Sequence, residues 1–288
     1  MEELAQVEHV TSTESAVIRE ELQYDVEDLK SKVEARIPTF TPEQLDIFNC
    51  VMNAVGDDSS LQVVVDARGG CGKTYLLNTI LAAVRSSKAG GRGIALAMGT
   101  TGIAANLLDL GRTFHSRMKA PLSVSEDSTL KITAQSELAK LIKRASLLLI
   151  DKATMLDRYM LEAMDRTLRD LMNAPLKPFG GKILILAGDF RQCLPVVPGA
   201  SRAGTVKHCV SQSHLWREFR ILKLSVNMRV NASGNVSLQE FDDWTLRIGN
   251  GLMDAVTIPK EMVATEIEPN SGYERFLHQD IPKHRNMD

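Results

Sequence analysis

The stretch "LQVVVDARGGCGKTYLLNTILAAVRSS", residues 61 to 87, constrains this chain more than any other. An apolar, β-branched run is followed by a glycine-rich loop and then by an apolar helical pattern. The run does not alternate with polar residues, which predicts a strand covered on both faces, the kind found in parallel sheets with helices on each side. Glycines at 69, 70 and 72 let backbone N–H groups turn toward one anion, and the start of the next helix adds its positive end. In that setting Lys73 can neutralise β- and γ-phosphate oxygens and Thr74 can ligate magnesium. The loop therefore reads as a P-loop for ATP and Mg2+, with Gly69, Gly70, Cys71, Gly72, Lys73 and Thr74 as its binding residues. Ala67 stands where a first glycine is usual, and a positive backbone angle there would be unfavourable.

Further continuous apolar runs at "GIALAM", "SLLLID" and "KILILAGD" predict more buried strands, separated by helical segments such as "LDRYMLEAMDRTLRDLM". The fold class is thus α/β: a parallel sheet with helices on both faces. "TPEQLDIFNCVMNAV" predicts a helix with Thr41 as N-cap and Pro42 in its first turn. Residues 1–38 are rich in Glu and Asp. Leu22, Val26, Leu29 and Val33 form one apolar helical stripe that ends at Pro38, expected to pack on the domain behind it because two heptads are short for a dimerising coiled coil. After Val230 the chain turns polar and loop-like at "NASGNVS", and "FDDWTLRIGNG" predicts one helix stopped by glycines before an irregular tail. The expected organisation is a helical segment 1–38, a P-loop domain 39–230, and a C-terminal helix and tail 231–288.

With 288 residues, 44% of them hydrophobic and 24% charged, the chain can bury a sizeable core. A formal charge of −2 excludes a globally basic nucleic-acid coat, so any DNA contact must come from a local groove. Four cysteines without close pairs fit a reducing, intracellular compartment better than a disulfide scaffold. The acidic start "MEELAQVEHVTSTESAV" has no basic region followed by an apolar one, and no long apolar run occurs. Neither a secretion signal nor a membrane span is expected.

Asp151, at the end of "SLLLID", is the natural second anchor for the magnesium, with helix capping as its alternative. Gln192 in "GDFRQ" can sense the γ-phosphate or place the attacking water, or else make a loop hydrogen bond. Gln44 can read the adenine edge through its amide or close a capping box with Thr41.

Several blocks together resemble the petite-integration-frequency (PIF) type DNA helicases of superfamily one, including those of Helitron transposons. They are "TPEQ", "GGCGKTYLLN", "TTGIAANLLDLGRTFHS", "SELAKLIKRASLLLIDKATM", "PFGGKILILAGDFRQCLPVVPGASRA", "LKLSVNMR" and "FDDWTLRIGNG", from about residue 41 to 251. The resemblance implies a RecA-like first motor domain that binds ATP and magnesium and grips single-stranded DNA or its junctions with duplex. The family unwinds in the 5′ to 3′ direction, and membership implies work in DNA repair, recombination and telomere maintenance, in the nucleus or in mitochondria. It raises Gln44 from cap to adenine reader and makes Arg229 in "NMR" a γ-phosphate arginine. Thr101 and the Gly102 amide become contacts for a DNA phosphate and His115 a contact for the strand; alone, His115 reads as structural and Phe114 as core.

Two departures bear on function. The family pattern after the strand is Asp then Glu, the Glu orienting or deprotonating the attacking water, and here Lys152 replaces it. An ammonium group has no lone pair to accept a proton, and losing a positioned base typically costs on the order of a hundred- to ten-thousand-fold in rate. Nothing after Gly251 resembles the second motor domain, so stepping is expected to need another chain, with a fragment or truncated transposon copy as alternatives. The sequence thus supports two readings: a helicase with residual or partner-assisted hydrolysis, or a module that binds ATP and single-stranded DNA without turnover. A small-molecule kinase would need an acceptor site, which the sequence does not show.

Overall fold

The computed structural model describes residues 15–87, 93–233, 236–253, 256 and 258. The acidic start and the final irregular stretch lie outside them. Six strands are present among the described residues: β1 (Leu61–Ala67), β2 (Ala95–Gly99), β3 (Arg112–Thr113), β4 (Leu147–Asp151), β5 (Ile183–Gly188) and β6 (Arg220–Leu224). They form one sheet in the order β3-β2-β4-β5-β1-β6, with every neighbouring pair parallel. Helices α1 (Ala16–Glu21), α2 (Val26–Arg36) and α3 (Pro42–Gly56) precede β1, and α4 (Lys73–Ser86) leads to β2. Helix α5 (Gly102–Asn106) leads to β3, α6 (Phe114–Met118) and α7 (Glu137–Arg144) to β4, and α8 (Arg158–Leu171) to β5. Helix α9 (Arg202–His208) leads to β6, and α10 (Met228–Ser233) and α11 (Val236–Gly249) follow it.

The non-alternating runs behave as expected. Along β4, Leu147, Leu148, Leu149 and Ile150 are all fully buried, and each such burial contributes roughly 1.5–3 kcal/mol. Successive side chains feed opposite cores. Val64, Met98, Leu148 and Leu186 pack with Phe114, Leu141 and Leu168 on one face. Val63, Ala97, Leu149 and Ile185 pack with Phe48, Val51, Leu77 and Ile80 on the other.

The N-terminal stripe forms helix in two pieces. Asp25 interrupts it by accepting from the backbone N–H groups of Glu27 and Asp28, which makes it the N-cap of α2. Helix α1 docks through a buried ion pair of Glu21 with Arg117 on α6 and an exposed pair of Glu20 with Arg112. The segment "NASGNVS" also departs from the loop expected: its first residues close α10 and its end opens α11, while 234–235 lie outside the described residues. The chain divides into two units, Met1–Asp242 and Asp243–Asp288. No described helix is long and apolar enough to cross a membrane.

Candidate functional site

In a parallel sheet all carboxyl ends lie on one edge, and the crevice outside that edge is where open α/β sheets take ligands. The register here aligns Gly99 with Asp151, Asp151 with Ala187, Asp66 with Gly188, and Ala67 with Leu224. Lys73, Thr101, His115, Gln192 and Arg229 each follow a different strand onto this edge, and Asp151 ends β4 on it.

The glycine loop leaves β1 and enters α4 with two left-handed residues, Gly70 (φ 87°) and Gly72 (φ 72°). Ala67 is the last, buried residue of β1 and is not among the residues of positive φ, so the strain anticipated at that position does not arise. Close approach also demands both glycines. A Cβ at Gly70 would meet Asn227 Oδ1 at 2.3 Å, and one at Gly72 would meet Gln44 Nε2 at 2.5 Å and Met228 Sδ at 2.7 Å.

Lys73 and Asp151 converge as an ion pair, with their side chains 11% and 2% exposed. Asp151 Oδ1 also accepts from the backbone N–H of Lys152 at 2.8 Å, so the carboxylate serves the loop and not the start of a long helix. These groups line an open cleft of about 630 Å³ together with Arg68, Thr74, Lys152 and Arg229. Four cationic side chains around one buried carboxylate make a site for a polyanion.

Lys152 takes a left-handed backbone (φ 57°), an uncommon conformation for a residue with a Cβ. Its ammonium donates to Gln192 Oε1 at 3.1 Å, and Gln192 Nε2 donates to Asp189 Oδ2 at 2.9 Å. Both ends of the Gln192 amide are therefore engaged, and the side chain does not line the cleft. Lys152 does not pair with Asp151 through its side chain; Lys73 fills that role.

Gln44 is fully buried. It closes the capping box with Thr41, donates from Nε2 to Cys71 O at 3.2 Å, and approaches Met228 Sδ at 3.3 Å. In this arrangement both ends of its amide are engaged, with Oε1 accepting from Thr41 N–H and Nε2 facing Cys71 O, so the amide braces the phosphate loop. Thr101 caps α5 by accepting from Ala104 N–H at 3.2 Å, beside an open Gly102. His115 lies apart from the phosphate cleft, in a groove of about 480 Å³ with Lys119 and Lys131. Phe114 is fully buried in the core and offers no face to a base.

What fastens the segment carrying Arg229 escaped the sequence. The turn 225–229 after β6 is fastened from several sides. Ser225 N–H donates to Glu43 Oε2 at 2.8 Å, Arg68 Nη2 donates to Ser225 O at 3.1 Å, and Met228 N–H donates to Gly70 O at 3.0 Å. Asp242 accepts from Asn227 Nδ2 at 2.8 Å and pairs with Arg68 Nη1 at 2.8 Å. Burial alone would raise the Glu43 carboxyl, but hydrogen bonds from Ser225 and Val226 hold it below the usual range. Burial pushes the Cys71 thiol up, against the nearby Arg68. The sequence signal was the block "LKLSVNMR", which the resemblance to the family had singled out for Arg229 but not for the contacts of the turn.

The family model for the PIF1-like helicase matches residues 39–258. The ATP-dependent DNA helicase PIF7 of Trypanosoma brucei brucei is 31% identical over 159 residues, covering 54% of this chain and 15% of the relative. The ATP-dependent DNA helicase RRM3 of Saccharomyces cerevisiae is 30% identical over 179 residues, covering 62% of this chain and 23% of the relative. A solved structure of Pif1 helicase from Bacteroides, in complex with ADP-AlF3 and ssDNA, aligns with a TM-score of 0.59 at 26% identity, over 74% of this chain and 47% of that one. The chain thus spans less than a quarter of these curated relatives and less than half of that structure. The match across most of the chain, together with the glycine loop and its paired Lys73 and Asp151, establishes that this chain belongs to the PIF1-like helicase family.

Proposed function

We propose that this chain forms the ATP-binding part of a PIF-type DNA helicase motor, and that it holds the triphosphate far better than it cleaves it. The observation that carries this reading is the buried pair of Lys73 and Asp151 at the mouth of the glycine loop, with Lys152 directly beside it. On nucleotide binding, Lys73 exchanges the carboxylate for phosphate oxygens, and the N–H groups of the loop and the start of α4 take the rest of the charge. Arg229 lines the same cleft and meets the γ-phosphate. Asp151 and Thr74 present the hard oxygens that magnesium takes, a fit with an ion held largely by phosphates and water. When bound, that ion neutralises charge on the triphosphate.

Hydrolysis requires a group that orients or deprotonates water. Lys152 cannot accept a proton, and it also occupies Gln192, the other side chain suited to placing a water. Both features point to impaired turnover. A single strand of DNA is placed along the carboxyl edge of β2 and β3, with the Gly102 amide, Thr101 and His115 as its contacts. Stepping along DNA needs a second gripping domain, on this polypeptide or on another chain. A DNA motor of this kind acts where DNA is held, the nucleus foremost.

The test is a titration with a fluorescent ATP analogue and magnesium, paired with anisotropy of labelled single-stranded DNA. We expect saturable nucleotide binding that Lys73→Ala abolishes, and DNA binding that weakens as salt rises. A folded protein that binds neither would overturn the proposal.

A further inference from the structure

We propose that Asp242 is a positioning residue for the phosphate cleft: it clamps the 225–229 turn onto the glycine loop and thereby sets the preference of the cleft for ATP over ADP. Its two carboxylate oxygens serve two partners at once. One accepts from Asn227 Nδ2 at 2.8 Å, and the other pairs with Arg68 Nη1 at 2.8 Å, with side chains 15% and 12% exposed for Arg68 and Asp242. The contact with Asn227 is a charge-assisted hydrogen bond and the contact with Arg68 a largely buried ion pair, both less screened by solvent than an exposed pair.

Both partners act on the phosphate site. Asn227 Oδ1 faces back and accepts from the N–H groups of Arg229 at 3.1 Å and Val230 at 3.4 Å, so the residue held by Asp242 is the one that orients Arg229. Asn227 also lies so close to Gly70 that no side chain fits between them. Arg68 belongs to the glycine loop itself and lines the cleft. Its Nη2 donates to Ser225 O and its Nη1 lies 2.8 Å from the Asp242 carboxylate as an ion pair, which holds the guanidinium beside the turn. The clamp thus does two things: it fixes the arginine assigned to the third phosphate, and it keeps a second arginine from binding whatever phosphates are present. Without Asp242, Arg68 is released to any polyphosphate and Arg229 is loosened, and both changes erode discrimination between ATP and ADP.

The clamp itself can be tested without nucleotide; only the ATP preference rests on the function proposed above. Cys71, in the glycine loop, is 2% exposed, and its alkylation by iodoacetamide in the full chain, read by peptide mass spectrometry, reports opening of the loop. Buried Cys209 is the reference for the rest of the fold. Each rate is divided by the thiolate fraction taken from that variant's own pH–rate profile, so that the lost charge of Asp242 is not mistaken for opening. In Asp242→Ala we expect Cys71 to react about tenfold faster, the size of one charge-assisted contact, with Cys209 unchanged. An unchanged Cys71 rate overturns the clamp. Should alanine also expose Cys209, Asp242→Asn decides by the same two rates, since its amide oxygen still accepts from Asn227 while the partner charge for Arg68 is gone. The second readout is the ratio of ADP to ATP dissociation constants, expected to fall about tenfold in Asp242→Ala. An unchanged ratio overturns the role in selectivity, whereas wild-type protein that binds neither nucleotide overturns the proposed function and leaves the Cys71 rates to judge the clamp.

Discussion

Gly69 and Gly70 are neighbours in the phosphate loop, yet they carry different constraints. Gly70 combines φ 87° with the carboxamide of Asn227 in the space a methyl group would need, while nothing lies within 4 Å of a Cβ at Gly69. Gly70→Ala is expected to cost roughly 1–3 kcal/mol in thermal or urea unfolding and to weaken nucleotide binding, whereas Gly69→Ala should leave stability nearly unchanged. Glu43 gives a pH-dependent prediction. Its folded pKa is lowered, so the stability that its bonds to Ser225 provide is fully present above the ordinary glutamate value of about 4.3. That stability is lost as pH falls through the lower folded value. Melting curves from about pH 6 to about pH 3 should therefore show a destabilisation on acidification that is smaller in Glu43→Gln. At this scale the loop residues were legible because a phosphate cradle needs fixed spacing. The partners of Glu43 and Asp242 were not, because polar contacts between residues far apart in sequence leave no local pattern.

Among the elements, β1, β2, β4 and β5 were legible as unbroken apolar runs, since strands buried on both faces must be apolar throughout. The edge strands were not: β3 has two residues, and β6 exposes most of its length. The N-terminal stripe kept its spacing across a break because Leu22 and Val26 lie on either side of the cap at Asp25, and periodicity alone does not register such a turn. Helix α1 is held by the pair of Glu21 and Arg117, whose side chains are 4% and 2% exposed. Arg117→Ala leaves a buried carboxylate uncompensated and is expected to cost roughly 3–5 kcal/mol, measurable as a lower melting temperature. Arg117→Ala combined with Glu21→Ala should recover part of that loss, because no charge is then stranded.

Across the molecule, one parallel sheet collects six loops on a single edge, and the chemistry follows from what those loops carry. The resemblance of scattered blocks foretold that assembly, and the register accounts for it: residues 84 positions apart, Ala67 and Asp151, end strands on either side of β5. What the blocks did not foretell is how Lys152 behaves. Its ammonium neither pairs with Asp151 nor sits idle, but occupies the carbonyl oxygen of Gln192, the end of that amide suited to meeting a water. Replacing it with glutamate therefore does two things together, restoring a carboxylate and freeing the carbonyl oxygen of Gln192, whose amide nitrogen stays with Asp189.

The most direct measurement is phosphate release from a preformed ATP and magnesium complex, with and without single-stranded DNA, for the wild-type chain and for Lys152→Glu. We expect the wild-type chain to retain ATP with little release and no stimulation by DNA, and release from the variant to rise about a hundredfold or more. Rapid, DNA-stimulated release from the wild-type chain, undiminished relative to the variant, would contradict that expectation.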